Sequence, residues 1–357
     1  MDPTPRLAAT RFLLTAASAV IVIAGLRAAQ SLIIPFLFSV FLSIICSPAV
    51  VWLQRRGFPK LLAIVLVVVA LMGVLTGIGA LVGGSVNDFI DAGPSYQARL
   101  NSLVDSWSDR LEQYDIDLPS LEVRDYLDPG GFMSVLGSGL KGLASTLSNM
   151  FLIILTMVFI LLEATSFPIK LRAAFGDRGE DPLHLAQVTA QVQRYLAVKT
   201  AVSAVTGIAI AIWTAVLGLD FALVWGLLAF LLNYIPSIGS IIAAVPAVLL
   251  ALVQHGPGTA VVVGIGYLVV NTVLGNIVEP NLMGRAVGLS TLVVFLSLVF
   301  WGWVWGPVGM LLSVPLTMII KIGLENSEDL RWLALLLDSG KVAQARLDAE
   351  AEQEVSD

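Results

Sequence analysis

One tract constrains this chain more than any other feature: from Phe221 to Ile320 it is apolar almost throughout, yet repeatedly interrupted by helix breakers. Only Asp220, His255, Glu279 and Arg285 are ionisable between Ala201 and Ile320. Crossing a hydrocarbon core takes roughly 20 apolar residues. Within lipid every backbone N–H and C=O must be satisfied internally, which leaves helices as the default. A soluble domain is excluded: 57% of the residues are hydrophobic, 13% are charged and the mean hydropathy is +0.89.

Four earlier runs have spanning length, at about 8–29, 31–53, 60–86 and 143–163, and a fifth lies at about 198–219. Arg6 and Arg11 precede "FLLTAASAVIVIAGL", which reads as an uncleaved first helix because a second apolar run begins at Leu32. Basic residues stay on the cytoplasmic side. Arg6, Arg11, Arg55, Arg56 and Lys60 therefore set the amino terminus and the "QRRGFPK" loop inside. Helix 3 then delivers residues 87–142, with ten acids and four bases, to the outside. Helix 4 returns, and 164–199, with five bases and three acids, is cytoplasmic. The carboxy-terminal tail, 324–357, is expected inside as a short charged helix ending in "DAEAEQEVSD".

The outer segment carries an apolar stripe, with Tyr96, Leu100, Leu103, Val104, Trp107, Leu111 and Tyr114 at helical spacing. It reads as an amphipathic helix capping the protein. In the inner segment, Pro182 fits the first turn of a helix leading into span 5. A single cysteine, Cys46, cannot form an intrachain disulfide. The two histidines, His184 and His255, lie in different segments, so no metal or cofactor is expected.

Two stretches of the apolar tract look alike: "IPSIGSIIAAVPAVLLALV" (235–253) and "GPVGMLLSVPLTMII" (306–320). In each, Pro is followed by Gly, then small or apolar residues, then Val-Pro. Residues 221–252 as one helix would run about 48 Å at 1.5 Å per residue, too long for one span. As two arms joined at Asn233–Ser240, each would be about 18 Å. The same holds for 289–320, broken at Gly302–Gly309. The expected architecture is thus an all-α polytopic membrane protein with about six full transmembrane helices and two re-entrant helical hairpins (221–252 and 289–320) in an inverted-repeat arrangement. Eight full spans are the alternative. The expected divisions are 1–86, 87–142, 143–199, a transport core at 200–323, and the tail.

The breakers suggest the chemistry. Irregular backbone at membrane depth is tolerated only where protein or a watery cavity satisfies it. Pro236 frees a carbonyl, Gly239 allows close approach, and Asn233 and Ser237 offer polar side chains. Asn271, Asn276 and Asn281 add amides that both donate and accept. Such a lining suits a small, neutral or weakly charged polyhydroxy solute, with no acidic cage for calcium and no basic cluster for phosphate. Glu279 and Arg285, flanking "EPNLMGR", are candidates for coupling. The sequence has no HExxH, no GxSxG and no paired aspartates at membrane depth, so an enzyme is not expected. A passive scaffold leaves both breaker motifs unexplained.

The last third, "NYIPSIGSIIAAVPAVLLALVQ", "NIVEPNLMGRAVGLSTLVVFLSLVFWGWVWGPVGMLLSVPLT" and "KIGLE", resembles the autoinducer-2 exporter family, also described as PerM-type permeases. The resemblance rests on Pro280-x-x-x-Gly284-x-x-x-Gly288-Leu289, then Gly306-x-x-Gly309 and Pro315. It covers residues 7–335 in layout and is strongest over about 220–325. The wording "LSTLVVFLSLVFWGW" is similar to the quorum-signal transporter branch, with Trp301-Gly302 where many members have two glycines. The resemblance implies a multi-span carrier of the bacterial inner membrane with both termini cytoplasmic, a homo-oligomer with the pentamer as the expectation, and export of autoinducer-2. Other members resemble sodium or lithium/proton antiporters, which makes a proton or sodium ion a candidate partner beside lipid and a polar solute; no nucleic acid is expected. Carried onto this chain, the hairpin-tip residues are Asn233, Pro236, Ser237, Gly239, Gly306, Pro307 and Gly309, and the central motif is Glu279, Pro280, Asn281 and Gly284.

Overall fold

The computed structural model describes residues 5–112, 150–164, 166, 169–170, 182–283, 288–325, 331–338, 340 and 344. Every regular element among them is helical, and an isolated antiparallel bridge joins Leu289 to Asp338. In order these are α1 (Pro5–Ala28), α2 (Gln30–Arg55), α3 (Lys60–Glu112), α4 (Met150–Glu163), α5 (Pro182–Val216), α6 (Ala222–Leu232), α7 (Gly239–His255) and α8 (Pro257–Val270). A π-helical stretch (Asn271–Val278), α9 (Glu279–Met283), α10 (Thr291–Glu325) and α11 (Arg331–Leu337) complete the described elements.

The all-α polytopic expectation holds. Five helical stretches among the described residues have the length and apolarity to cross a membrane: 30–55, 60–85, 190–216, 257–283 and 291–325. Large apolar side chains face outward, Phe151 at 79% and Val216 at 76% exposure among them, while serines and threonines such as Ser39, Ser203 and Thr214 are buried. That inverts the soluble pattern and fits helices solvated by lipid.

The third span lies where expected, at 60–85. Its helix does not stop there but continues to Glu112, with Pro94 inside it. A proline removes one backbone donor, which water can compensate beyond the bilayer, so Pro94 bends or weakens a helix without necessarily ending it. Of the expected outer apolar stripe, Tyr96 has a described side chain, and it is buried; the other stripe residues, and the segment 113–149, lie outside the described side chains. The helix expected to start at Pro182 does so, and it runs on into the fifth apolar span.

The chain divides into two compact units. In the first (1–48, 152–196 and 285–357), Ser39 and Ser43 of α2 meet α4. Their Oγ atoms lie 2.9 Å from Ile153 O and 3.4 Å from Met157 O. Each also bonds the carbonyl one turn back in α2. Small hydroxyl residues one turn apart let membrane helices approach closely.

Within the same unit, α10 is not one straight helix. Trp305 (φ −128°) and Gly306 (φ 64°, ψ −145°) are non-helical. Trp301 Nε1 donates to Thr317 Oγ1 at 3.2 Å, sixteen residues on. A straight helix would hold these residues about 24 Å apart. The chain therefore folds back, with arms on either side of Trp305–Gly306, inside the expected break.

In the second unit (49–151 and 197–284), α6 and α7 form another folded-back pair, with its turn at 233–238. Its two ends meet where the Asp220 N–H donates to Gln254 Oε1 at 3.2 Å. Ala243, Ala247 and Ala251 are fully enclosed at one-turn spacing on α7 and pack in a core with Trp225, Ala229 and Val263. Gly207 and Gly226 bring α5 and α6 into backbone contact. A Cβ at Gly226 would lie 2.6 Å from Gly207 O.

Candidate functional site

The turn of the first hairpin is built on polar anchors. Asn233 ends α6, and its buried Nδ2 donates to Ser203 Oγ of α5 at 2.9 Å. Tyr234 Oη donates to Thr200 Oγ1 at 2.8 Å. Pro236 is half-buried and Ser237 is exposed. Ser237 has φ 62°, a left-handed conformation that a serine adopts only under local constraint. Gly239 is buried. A Cβ there would run into the carbonyl of Leu232, so only glycine lets the second arm start so close to the first.

The returning helix supplies the rest. At Asn271 the helix widens into a π-helical stretch through Val278, an irregularity often found at functional positions. Asn271 is half-buried, while Asn276, Pro280 and Asn281 are exposed. Glu279 closes the stretch and meets Lys199 of α5. Lys199 Nζ is 2.7 Å from Oε1 and 2.9 Å from Oε2, with side-chain exposures of 6% and 15% for the Lys and the Glu. Asn233, Tyr234 and Glu279 thus converge on one short stretch of α5: Lys199, Thr200 and Ser203. Lys199 was not among the sequence candidates, because it was assigned to the cytoplasmic segment. The signal was a lone cation in "YLAVKTAVSAVTG", followed by hydroxyl residues on adjoining turns.

Asp220 and His255 stand at the ends of apolar segments in the sequence. Asp220 does more: its carboxylate accepts from Tyr96 Oη at 2.7 Å and from Gln254 Nε2. Its carbonyl accepts from Trp225 Nε1 at 2.7 Å. Burial, then the hydrogen bond and negative charge of Asp220, push the Tyr96 hydroxyl up to about 12. It therefore stays a donor at neutral pH. His255 is exposed.

The turn of the second hairpin repeats the first in another unit. Gly306 supplies the positive φ, Pro307 is exposed, and a Cβ at the buried Gly309 would run into the carbonyl of Trp301. Trp301 and Trp305 stack at 4.8 Å, and Trp305 Nε1 donates to Leu26 O at 3.1 Å. Arg27 lies 5.2 Å over the ring of Trp303. The sequence candidates thus fall in two groups: those from Asn233 to Asn281 in one unit, and Gly306, Pro307 and Gly309 in the other. Gly284 and Arg285 lie outside the described residues. Among the described residues, no three His, Cys, Asp or Glu side chains are grouped as a metal site.

Residues 16–329 match the AI-2E family transporter description. The chain belongs to the AI-2E family. It is 40% identical over 318 residues to the AI-2 transport protein TqsA of Escherichia coli strain K12, covering 89% of this chain and 92% of that protein. It is 37% identical over 339 residues to the putative transport protein YhhT of the same strain, covering 95% and 97%. A putative transport protein of Haemophilus influenzae is 38% identical over 333 residues, covering 92% and 96%. As an AI-2E family member the chain is a multi-pass membrane transporter rather than an enzyme.

Proposed function

We propose that this chain exports a small polar signalling metabolite, autoinducer-2, across the bacterial inner membrane by alternating access at its hairpins. The observation that carries the reading is the buried Asn233–Ser203 contact at the hairpin turn, beside Thr200 and the Lys199–Glu279 pair. A neutral amide–hydroxyl bond contributes only about 1 kcal/mol net, so a solute hydroxyl can replace either partner. The nearby charges neutralise each other, which favours an uncharged polyhydroxy solute over an ion. The similarity to the AI-2 transport protein TqsA of Escherichia coli supports autoinducer-2 as that solute.

The basic clusters supply an orientation for this reading, with both termini cytoplasmic. α3 then carries Tyr96 outward, and since Tyr96 binds Asp220, the first hairpin enters from outside with its turn pointing inward. α1 carries Leu26 outward, and since Leu26 binds Trp305, the second hairpin enters from inside with its turn pointing outward. Oppositely inserted, re-entrant broken helices are the plan of many secondary transporters. A homo-oligomer, the pentamer first, belongs to the same proposal. The test is flux of labelled autoinducer-2 in vesicles holding the purified protein. Saturable flux, lost in Asn233→Leu, is expected; flux no greater than in empty vesicles would reject this solute.

A second reading has its own observation. Glu279 is an enclosed carboxylate on an irregular helix, and such groups exchange protons in antiporters. A sodium (or lithium)/proton antiporter would show a sodium-dependent pH change in vesicles that disappears in Glu279→Gln. Asp220 is the other candidate carboxylate, though it holds the outer end of a hairpin.

A further inference from the structure

From the sequence, the tail that holds α11 is expected to be a short charged cytoplasmic helix. Instead it closes the base of the second hairpin. Leu289 and Asp338 form an antiparallel bridge, and the Ser290 N–H donates to Leu337 O at 3.0 Å. Ser290 Oγ in turn accepts from the N–H of Val293 at 3.2 Å and so caps the entering arm. From the leaving arm, Lys321 reaches the Asp338 carboxylate, whose side chain is fully enclosed. Glu325 lies 3.9 Å from the same Lys321 nitrogen. Both ends of the hairpin are therefore tied to adjacent residues of the tail, the entering arm through Leu337 and the leaving arm through Asp338.

Gly288 completes the arrangement. Its φ is 59°, and a Cβ there would lie 3.0 Å from Lys321 Nζ. A side chain would be strained by the backbone and would crowd the ammonium group away from Asp338. Ala334 of α11 is fully enclosed, so the helix is packed rather than trailing.

We propose that α11 and Asp338 form a clamp that positions the second hairpin, with Lys321 and Asp338 as its positioning residues. The clamp holds entry and exit arms together at the base, so the hairpin opens only when the Lys321–Asp338 pair parts. This rests on the reading of the hairpin as a moving part of the transporter. It assigns the tail a role in controlling that movement.

Hydrogen–deuterium exchange on the full chain in phosphatidylethanolamine–phosphatidylglycerol vesicles tests the clamp without reference to a solute. In Asp338→Asn, amides of 291–304 should exchange at least ten-fold faster, while those of 222–232 keep the wild-type rate. The charge-swapped pair Lys321→Asp with Asp338→Lys should recover most of the protection. Wild-type exchange in Asp338→Asn, or an equal rise in both hairpins, would overturn the proposal. If Asp338→Asn does not fold, Lys321→Met with Asp338→Leu removes both charges together and is read the same way. The same vesicles, loaded with labelled autoinducer-2, separate the two readings. A loosened hairpin with no flux in any form keeps the clamp and rejects the solute.

Discussion

Lys199 and Glu279 stand 80 residues apart in sequence, yet the lysine nitrogen engages both carboxylate oxygens of the glutamate, with both side chains nearly enclosed. The pair ties the irregular helix after Asn271 to the stretch of α5 that also holds the first hairpin's turn. Removing one partner strands the other charge, at a cost of about 3–5 kcal/mol. Lys199→Met and Glu279→Gln should each lower the unfolding midpoint in detergent, whereas Lys199→Met with Glu279→Leu should lie closer to wild type. A double variant as unstable as the worse single would show that the pair is not the source of the effect.

Gly239 and Gly309 occupy equivalent places, each pressed on a carbonyl of the preceding arm. An alanine at either would force the two arms of its hairpin apart, and overpacking of this kind costs about 1–3 kcal/mol. Gly239→Ala and Gly309→Ala should both lower the melting temperature and the transport rate. Gly323 is a control: an added Cβ there meets nothing within 4 Å, and Gly→Ala within a helix stabilises by roughly 0.5–1 kcal/mol. Equal melting temperatures for all three would remove the steric argument.

These two sites also mark what the sequence could disclose. The hairpin turns were legible because proline and glycine inside an apolar tract are punctuation that lipid does not otherwise permit. Asn233 was legible because a buried amide must find a partner. Its partner Ser203 was not, since a serine in a membrane helix has no sequence signature that distinguishes packing from a site. Lys199 was hidden by its position at the seam between a basic segment and an apolar one. Asp338 was hidden by its charged neighbourhood, which reads as solvated tail until the fold brings it to Lys321. The continuation of α3 past residue 86 escaped for a different reason. Hydropathy reports where a membrane ends, not where a helix does.

Tyr96, Asp220 and Gln254 fasten the base of the first hairpin. The Tyr96 hydroxyl is raised from its ordinary value of 10 to about 12. Its folded-state value thus exceeds the unfolded one, so its contribution is fully present below pH 10 and is lost as pH rises through about 12. Tyr96→Phe should destabilise by about 1 kcal/mol at pH 7, less than a buried bond to a charged group because Asp220 is exposed. Above pH 10 the difference between variant and wild type should shrink. Denaturant midpoints at pH 7 and 11 check this, and a gap that widens with pH would contradict the assigned direction.

The side on which position 285 emerges decides between re-entrant hairpins and full spans. On our reading α5 crosses outward and the first hairpin returns to the outer side it entered from. The stretch 257–283 is long and apolar enough to cross once, which brings position 285 to the cytoplasm. If α6 and α7 instead made a full span, the same stretch would deliver position 285 outside. Arg285→Cys in a Cys46→Ser background gives a single thiol. A membrane-impermeant maleimide should then label it in inside-out vesicles and leave it unmodified in right-side-out ones. The opposite pattern would reject the hairpin topology, and with it the inverted insertion on which alternating access at the two turns depends.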